Sequence, residues 1–229
     1  MFFFRLDEIL NRQRCFALDS LVTLENGKQM SMEEVQVGDR VLAYDDRTKQ
    51  IIVTDVLTML HRETNQFSRP LHPFFLLQNK NKNCRSALFK QLTTDSRQQL
   101  TLTPSHLLLT DVHGYLMAKD IRIGMNVFVL NSNNHSFTLE TITNIDTIVR
   151  LGFIAPLTNE GTLIVNNIAT SCYATVHNHQ LAHRVLLPMR WWYRLFGVSH
   201  VSKEINGIHW FPKTLYKLTE FFLPSMFDQ

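Results

Sequence analysis

A single cysteine directly before a strand signal is the residue of this chain best able to do covalent chemistry. Cys15 precedes residues 20–24 (SLVTL), where apolar and polar residues alternate, and the turn signal Asn26-Gly27 follows. Cysteine is the most competent side-chain nucleophile near neutral pH. Because this thiol stands at the entrance of a strand-rich segment, we expect chemistry on the peptide bond that precedes it.

A hydroxyl and an imidazole stand close together further along the chain. Residues 103–106 (TPSH) end one apolar strand and open the next. Histidine is the usual proton carrier beside a nucleophilic cysteine, although His106 on its own is more typical of a hydrogen-bonded core histidine. Cys172, at the end of the strand-rich region, is on its own more typical of a small buried apolar residue than of a reactive thiol.

Composition limits the classes of function. The 229 residues are 45% hydrophobic and 19% charged, which is typical of a compact globular protein. A net charge of +3 without a run of five like charges argues against nucleic-acid binding. Three cysteines without a CxxC pair argue against a disulfide framework or a zinc site, and only His177 and His179 have a ligand-like spacing.

The beginning of the chain does not have the pattern of a signal peptide. Residues 1–4 (MFFF) are apolar, but Arg5, Asp7 and Glu8 follow at once, so the apolar run is too short. No other stretch reaches about 18 uncharged apolar residues, the length that spans a bilayer. We therefore expect the chain as given to be soluble and to carry no secretory signal of its own.

Residues 15–174 have the pattern of an all-β domain. Short apolar runs recur between turn signals, which predicts a sandwich or barrel-like arrangement of short strands. The runs are residues 51–59, 73–77, 100–103, 107–110, 125–130 and 162–165.

Two stretches of this region resemble each other. Residues 32–44 and 117–129 each place a small turn, then a glycine (Gly38 or Gly124), before an apolar strand. This repetition predicts an internal duplication.

The pattern changes after about residue 175. Apolar residues recur at helical spacing in residues 181–195, although Pro188 interrupts them, and an aromatic-rich amphipathic stretch covers residues 208–223. We therefore predict a short lead (residues 1–14), a β domain (15–174) and a helical tail (175–229). Aromatic residues at helical spacing are usually packed in a core, so the tail alone does not indicate a ligand.

Several segments taken together resemble the autoprocessing domain of Hedgehog proteins. They are residues 15–16 (CF), 39–42 (DRVL), 100–106 (LTLTPSH), 161–167 (GTLIVNN), 171–174 (SCYA), 181–183 (LAH), 188–190 (PMR), 207–210 (GIHW) and 215–217 (LYK). The resemblance covers about 210 residues in the family's order. It implies the all-β Hint fold shared with inteins, with a pseudo-two-fold internal duplication, followed by a helical sterol-recognition tail.

The resemblance also implies a two-step mechanism. The Cys15 sulfur would attack the carbonyl of the preceding residue and convert that amide into a thioester. His106 would protonate the departing α-amine, and Thr103 would hold the scissile peptide by a hydrogen bond. Cys172 stands at the family's second cysteine and would support the thiol chemistry. An amine leaves poorly unless it is protonated, whereas a thiolate leaves well, so the order of events is chemically sound.

By the same resemblance, a sterol such as cholesterol would be the co-substrate. Its hydroxyl would attack the thioester and release the upstream segment, the cargo in cis, as a sterol ester. No further cofactor and no metal are expected. The apolar tail suits a sterol or the membrane that supplies it. The full-length protein would then act in the secretory pathway, outside the cell or at a membrane, in cell–cell signalling.

The chain departs from the family's pattern at two positions. The family has a glycine before its nucleophilic cysteine, where this chain has Arg14. The family has an aspartate that activates the sterol hydroxyl, where this chain has His61. Imidazole can serve as a general base, so we assign His61 provisionally to that step. Two alternatives follow: a Hint domain that folds and binds without cleaving, and hydrolysis of the thioester without sterol transfer.

Overall fold

A computed structural model of the chain describes residues 15–63, 86–131, 136–173, 190–191 and 207–208. Within these ranges the chain forms almost only β-strands. They are β1 (Leu21–Thr23), β2 (Gln29–Ser31), β3 (Arg40–Tyr44), β4 (Ile51–Glu63), β5 (Ser86–Thr94), β6 (Gln99–Leu102), β7 (Leu107–Thr110), β8 (Gly114–Met117), β9 (Asn126–Asn131), β10 (Ser136–Leu151), β11 (Phe153–Thr158), β12 (Thr162–Val165), β13 (Ile168–Ser171) and β14 (Gly207–Ile208).

The strands form two antiparallel sheets. The larger sheet has the order β2-β1-β12-β13-β7-β9-β10-β5-β6, with β8 paired to β7. The smaller sheet has the order β11-β4-β14, with β3 paired to β4. The sequence prediction of an all-β domain is confirmed. Residues 107–110 and 162–165 are strands over the predicted bounds.

The predicted internal duplication is confirmed by matching hydrogen bonds. The Met32 N–H donates to the Ser20 carbonyl, and the Ala118 N–H donates to the His106 carbonyl, each partner lying 86 positions after its equivalent. Three more bonds recur with the same offset: Ser20 to Ala17 and His106 to Thr103, Glu33 to Leu18 and Lys119 to Pro104, Gly38 to Val56 and Gly124 to Ile142. We call residues 17–20 the first turn and residues 103–106 the second turn.

The two halves exchange their long strands. β5 follows β4 in the chain but pairs with β10, whereas β11 follows β10 but pairs with β4. Phe16 pairs antiparallel with Leu102, its own equivalent 86 positions later. A residue that pairs with its own equivalent lies on the pseudo-two-fold axis, so the first and second turns meet near that axis.

The main core fills the space between the paired halves. It contains buried side chains from both halves, among them Phe16, Val56, Leu102, Ile142 and Ile154. A second apolar cluster holds Cys15, Ala17, Ala87, Phe89, Phe153 and Ala155. Burial of side chains of this size from both halves joins them into one unit, because each large apolar side chain stabilises by about 1.5–3 kcal/mol.

β10 was not predicted, although it is the longest strand that the structure describes. Most of its sixteen residues are exposed or half-buried, and Thr, Asn, Asp and Glu side chains interrupt its apolar pattern. Pairing with β9 and β5 along its whole length supplies the hydrogen bonds that the pattern did not indicate. Residues 73–77, a predicted strand, lie outside the described residues.

The tail that was predicted to be helical lies largely outside the described residues, as does the lead segment. Arg190 and Trp191 have helical backbone. Gly207–Ile208 is strand β14 rather than helix, because it pairs with β4 at Arg62 and His61. Within the described part of the chain, no helix combines the length and apolarity needed to cross a bilayer.

Candidate active site

The backbone of Cys15 is fixed on both sides, and its side chain is fully buried. Its N–H donates to Thr103 Oγ1 at 2.9 Å, and its carbonyl accepts the Thr103 N–H at 3.1 Å. The next residue, Phe16, exchanges two backbone hydrogen bonds with Ile154 of β11, at 2.9 and 3.1 Å. Cys15 is therefore held between the second turn and β11.

The second turn places Thr103 and His106 together. The His106 N–H donates to the Thr103 carbonyl at 3.0 Å, which closes a four-residue β-turn. Pro104 stands at the second position of this turn, where its fixed φ is favourable. The His106 carbonyl accepts the Ala118 N–H at 2.8 Å, which ties the turn to the segment after β8.

The hydrogen bond to Ser171 decides the tautomer of His106. The ring nitrogen Nε2 lies 2.8 Å from the Ser171 carbonyl oxygen. A carbonyl only accepts, so Nε2 carries the proton and Nδ1 of the neutral ring has a free lone pair. Nδ1 is buried and has no hydrogen-bond partner among the described residues. The ring also packs on Phe16, with centroids 4.3 Å apart.

Burial makes His106 a neutral imidazole. Loss of solvent lowers its pKa to about 4, and the hydrogen bond to Ser171 opposes that effect only in part. At neutral pH the ring can therefore accept a proton on Nδ1. The resulting imidazolium would be a strong acid toward a neighbouring nitrogen.

Cys172 lies in a different part of the core from Cys15. Its side chain packs in the main core, and its Sγ is 3.4 Å from Thr158 Oγ1. Burial raises the pKa of the Cys172 thiol to about 11, so it stays protonated at neutral pH. It directly follows Ser171, whose carbonyl holds His106. Cys172 therefore belongs to the main core, next to the residue that binds His106, whereas Cys15 belongs to the second apolar cluster.

His61 reaches the Cys15 cluster through one aromatic ring. It lies on β4, and its ring meets Phe153 edge-on with centroids 4.8 Å apart. Phe153 belongs to the same apolar cluster as Cys15. The His61 Nε2 atom is 3.8 Å from Glu63 Oε1, and its side chain is only 14% exposed.

Sequence reasoning missed the residues that act through their backbone. Ser171 holds His106 by its carbonyl, and Ile154 holds Phe16 by its backbone, so neither leaves a side-chain signal. Arg14, Cys84, His177 and His179 lie outside the described residues. Among the residues that the structure describes, no group of three or more His, Cys, Asp or Glu could hold a metal ion.

Comparisons with known proteins agree with this geometry. The family model described as "Hint module" matches residues 8–224. The chain is 30% identical to "Protein hedgehog" of Drosophila erecta over 92% of its own length, and it spans 45% of that relative.

Solved structures show the same fold. The chain is similar to a DnaB intein from Synechocystis sp. PCC 6803, with a TM-score of 0.52 and 15% identity over 69% of this chain and 96% of that one. It is also similar to a bacterial intein-like domain from Clostridium thermocellum, with a TM-score of 0.52 and 15% identity over 69% of this chain and 99% of that one.

The family match covers nearly the whole chain, and the two equivalent halves agree with the predicted internal duplication. The chain belongs to the Hint module family.

Proposed function

We propose that this Hint module is a Hedgehog-type autoprocessing domain that cleaves the peptide bond before Cys15 and passes the upstream segment to a sterol. One observation carries the proposal: the Cys15 N–H donates to Thr103 Oγ1 at 2.9 Å, and its nitrogen belongs to the peptide bond to be broken. Thr103 and His106 belong to the same turn, so the amide nitrogen and the proton carrier are held by one short segment.

In the first step, Cys15 Sγ attacks the carbonyl carbon of residue 14. The S–C bond forms and the C–N bond of the peptide breaks. The thiol proton moves to His106 Nδ1 and from there to the leaving nitrogen, which becomes the free α-amine of Cys15. The low pKa of His106 makes the first transfer uphill and the second favourable, because a weakly basic imidazole gives an acidic imidazolium that passes its proton on to the nitrogen.

Thr103 orients the leaving group. Its Oγ1 fixes the direction of the Cys15 N–H, and its own N–H fixes the Cys15 carbonyl. Holding the reacting bond in one geometry removes motions that the uncatalysed reaction has to arrest. The acceptor and the donor that Thr103 presents to Cys15 are therefore suited to orient one peptide bond.

In the second step, the sterol hydroxyl oxygen attacks the thioester carbon. The C–S bond breaks and an ester forms. His61 takes the hydroxyl proton, and the proton returns to the Cys15 sulfur. The packing of His61 on Phe153, a member of the apolar cluster that contains Cys15, supports this assignment. Cys172 contributes indirectly. Its contacts with Thr158 and Gly161 hold the neighbouring Ser171, whose carbonyl binds His106.

The partner in cis is the segment upstream of Cys15. The chain spans less than half of the Drosophila relative, so the identity of that segment belongs to the proposal. We infer secretion or membrane association and a role in cell–cell signalling from the similarity to a hedgehog protein.

Two other outcomes are chemically close. Arg14 places a side chain where the family pattern has glycine, which favours a domain that folds without cleaving. Replacement of the family's aspartate by His61 favours hydrolysis of the thioester by water. Both are separated from sterol transfer by the product that forms.

The test is a reporter protein fused upstream of the full chain and purified without added nucleophile. Hydroxylamine should release the reporter, and cholesterol should yield a reporter whose mass rises by one sterol less one water. Cys15→Ala should abolish both reactions, because no thioester forms. Cys172→Ser changes a thiol that forms no thioester in this mechanism, so it should slow hydroxylamine cleavage without abolishing it.

Each result has one meaning. Hydroxylamine release without a sterol adduct leaves thioester formation intact and rejects sterol transfer. Release from Cys15→Ala as fast as from the native sequence rejects the whole mechanism. Cleavage that appears only after Arg14→Gly identifies a domain that folds but does not cleave.

A further inference from the structure

The orientation of His106 depends on one carbonyl oxygen. Its ring is held by the Nε2 bond to Ser171 and by packing on Phe16. The backbone bonds of His106 fix its Cα but not the rotation of its ring. The position of the Ser171 carbonyl therefore determines which ring nitrogen of His106 carries the proton and which one is left to accept one.

The segment that carries Ser171 is tied to the β11–β12 turn (residues 158–161). The Cys172 N–H donates to the Gly161 carbonyl at 2.8 Å. Thr158 Oγ1 lies 3.4 Å from Cys172 Sγ and accepts the Gly161 N–H at 3.0 Å. The turn and the end of β13 thus form one hydrogen-bonded unit behind His106.

Arg190, which follows the β domain in the chain, binds this unit through its side chain. Its Nη1 donates to the Asn159 carbonyl at 2.8 Å, and its side chain is only 6% exposed. The Glu160 carboxylate is the anion that interacts electrostatically with the guanidinium. Trp191, the next residue, is 63% exposed. Burying a cation costs free energy unless the cation is paired and hydrogen-bonded. Here the Asn159 carbonyl and the Glu160 carboxylate offset that cost, and both belong to the β11–β12 turn.

We propose that Arg190 is a positioning residue for His106, acting through the β11–β12 turn and the Ser171 carbonyl. The proposal rests on the proposed function, because it concerns the same histidine. It also connects the tail to the β domain: a change in the tail that withdraws Arg190 loosens the turn, and Ser171 then no longer selects the Nε2–H tautomer.

The first measurement does not depend on cleavage. NMR of the ring nitrogens in the ¹⁵N-labelled full chain reports the tautomer and titration of His106, which is assigned by its absence in His106→Asn. We expect one tautomer, Nε2–H, in the native sequence. Arg190→Met should give a mixture of tautomers and a pKa that moves upward toward the ordinary value near 6.5, because water enters.

The titratable and charged groups on the segments bonded to the second turn, and behind it, are Cys15 before β1, Lys119 and Asp120 after β8, Cys172 and Tyr173 after β13, and Arg190. Burial raises the pKa of both Cys172 and Tyr173, so these two stay neutral over the range in which His106 titrates. Loss of the Arg190 charge by itself also raises the pKa of His106, so the appearance of a second tautomer is the result that reports loosening around the ring.

The second measurement is hydroxylamine cleavage of the reporter fusion. Misplacing a catalytic group by about 1 Å can cost up to roughly a hundredfold in rate, so we expect Arg190→Met to be roughly ten- to hundredfold slower. Arg190→Lys, which keeps one donor and the charge, should recover part of the rate and of the tautomer preference. Trp191→Ala is the matched control and should behave like the native sequence.

The outcomes are separable. If folded Arg190→Met keeps the single tautomer and the native titration, the proposal is wrong, whatever the cleavage rate. If Arg190→Met does not fold, Arg190→Gln, which removes the charge and shortens the side chain, decides instead, and a native tautomer and titration in that variant also overturn the proposal. Failure of the native fusion to cleave rejects the proposed function, while the NMR result still decides the role of Arg190.

Discussion

The first and second turns share one backbone and differ in chemistry. Each is closed by the same hydrogen bond, from Ser20 to Ala17 in the first turn and from His106 to Thr103 in the second. Ala17 stands where the second turn has Thr103, and Ser20 stands where it has His106. All four residues are buried. The backbone alone therefore does not distinguish the two turns.

The side chains make the difference. Thr103 supplies an oxygen to the Cys15 N–H, but Ala17 has no hydroxyl to offer. His106 supplies a ring with a free Nδ1 lone pair, whereas the buried Ser20 Oγ has no hydrogen-bond partner in the described part of the chain. The duplicated fold provides two equivalent positions, and only one of them carries groups that can hold an amide and move a proton.

The largest expected effect comes from exchanging the final residue of each turn. His106→Ser gives the second turn the residue of the first, and we expect hydroxylamine cleavage to fall by roughly 10²–10⁴-fold because the proton carrier is lost. Cleavage of the reporter fusion, followed by gel densitometry, measures the loss.

Ser20→His is the reverse exchange. It should create no new cleavage, since no thiol precedes a scissile bond at the matching place, and overpacking should destabilise the fold by about 1–3 kcal/mol. Cleavage that survives in His106→Ser would mean that the two turns do not differ in function.

The next effect concerns the hydroxyl of Thr103. Thr103→Val keeps the shape and removes the acceptor for the Cys15 N–H, so we expect cleavage to slow by roughly tenfold, the value of one hydrogen bond. Thr103→Ser should restore most of the rate. Equal rates in the Val and Ser variants would show that the hydroxyl is dispensable.

A smaller difference should appear in the pH dependence of stability. His106 has a pKa of about 4 in the folded state against about 6.5 when unfolded, so the unfolded state binds the extra proton between these values. The contribution of His106 to the free energy of unfolding is then fully present above pH 6.5 and is lost as the pH falls toward 4. From pH 7 to pH 5 the loss is about 2 kcal/mol.

Urea unfolding at the two pH values measures this loss. His106→Ser lacks the ring, so its own loss should be smaller by that amount. An identical fall in both proteins would place the acid sensitivity elsewhere in the molecule.

The smallest effect tests the symmetry itself. Gly38 and Gly124 are equivalent and have φ of 96° and 92°, a region that residues with a side chain avoid. Gly124→Ala meets no atom within 4 Å, so its cost is conformational and about 1–2 kcal/mol. Gly38→Ala should lose at least as much in urea unfolding. A neutral Gly124→Ala would mean that the turn relaxes and that the two positions are not equivalent.

Much of the fold could be predicted from the chain because its signals are local. The alternation before Asn26-Gly27, the repeated turn-glycine-strand pattern and the TPSH turn each lie within a dozen residues. β10 escaped prediction because its polar side chains face solvent and its stability comes from pairing with β9 and β5. The strand at Gly207–Ile208 escaped for the same reason, since it depends on the edge of β4.

The amino-acid sequence by itself determined which groups can react: the Cys15 thiol, the Thr103 hydroxyl and the His106 ring, each recognisable by residue type and neighbours. Only the tertiary structure decided how they act. The exchange of strands between the halves brings Cys15 to a turn 88 positions away. A backbone carbonyl at Ser171 then selects the tautomer of His106. Hydrogen bonds and burial of this kind act through space between distant backbone groups, so no local pattern of side chains encodes them.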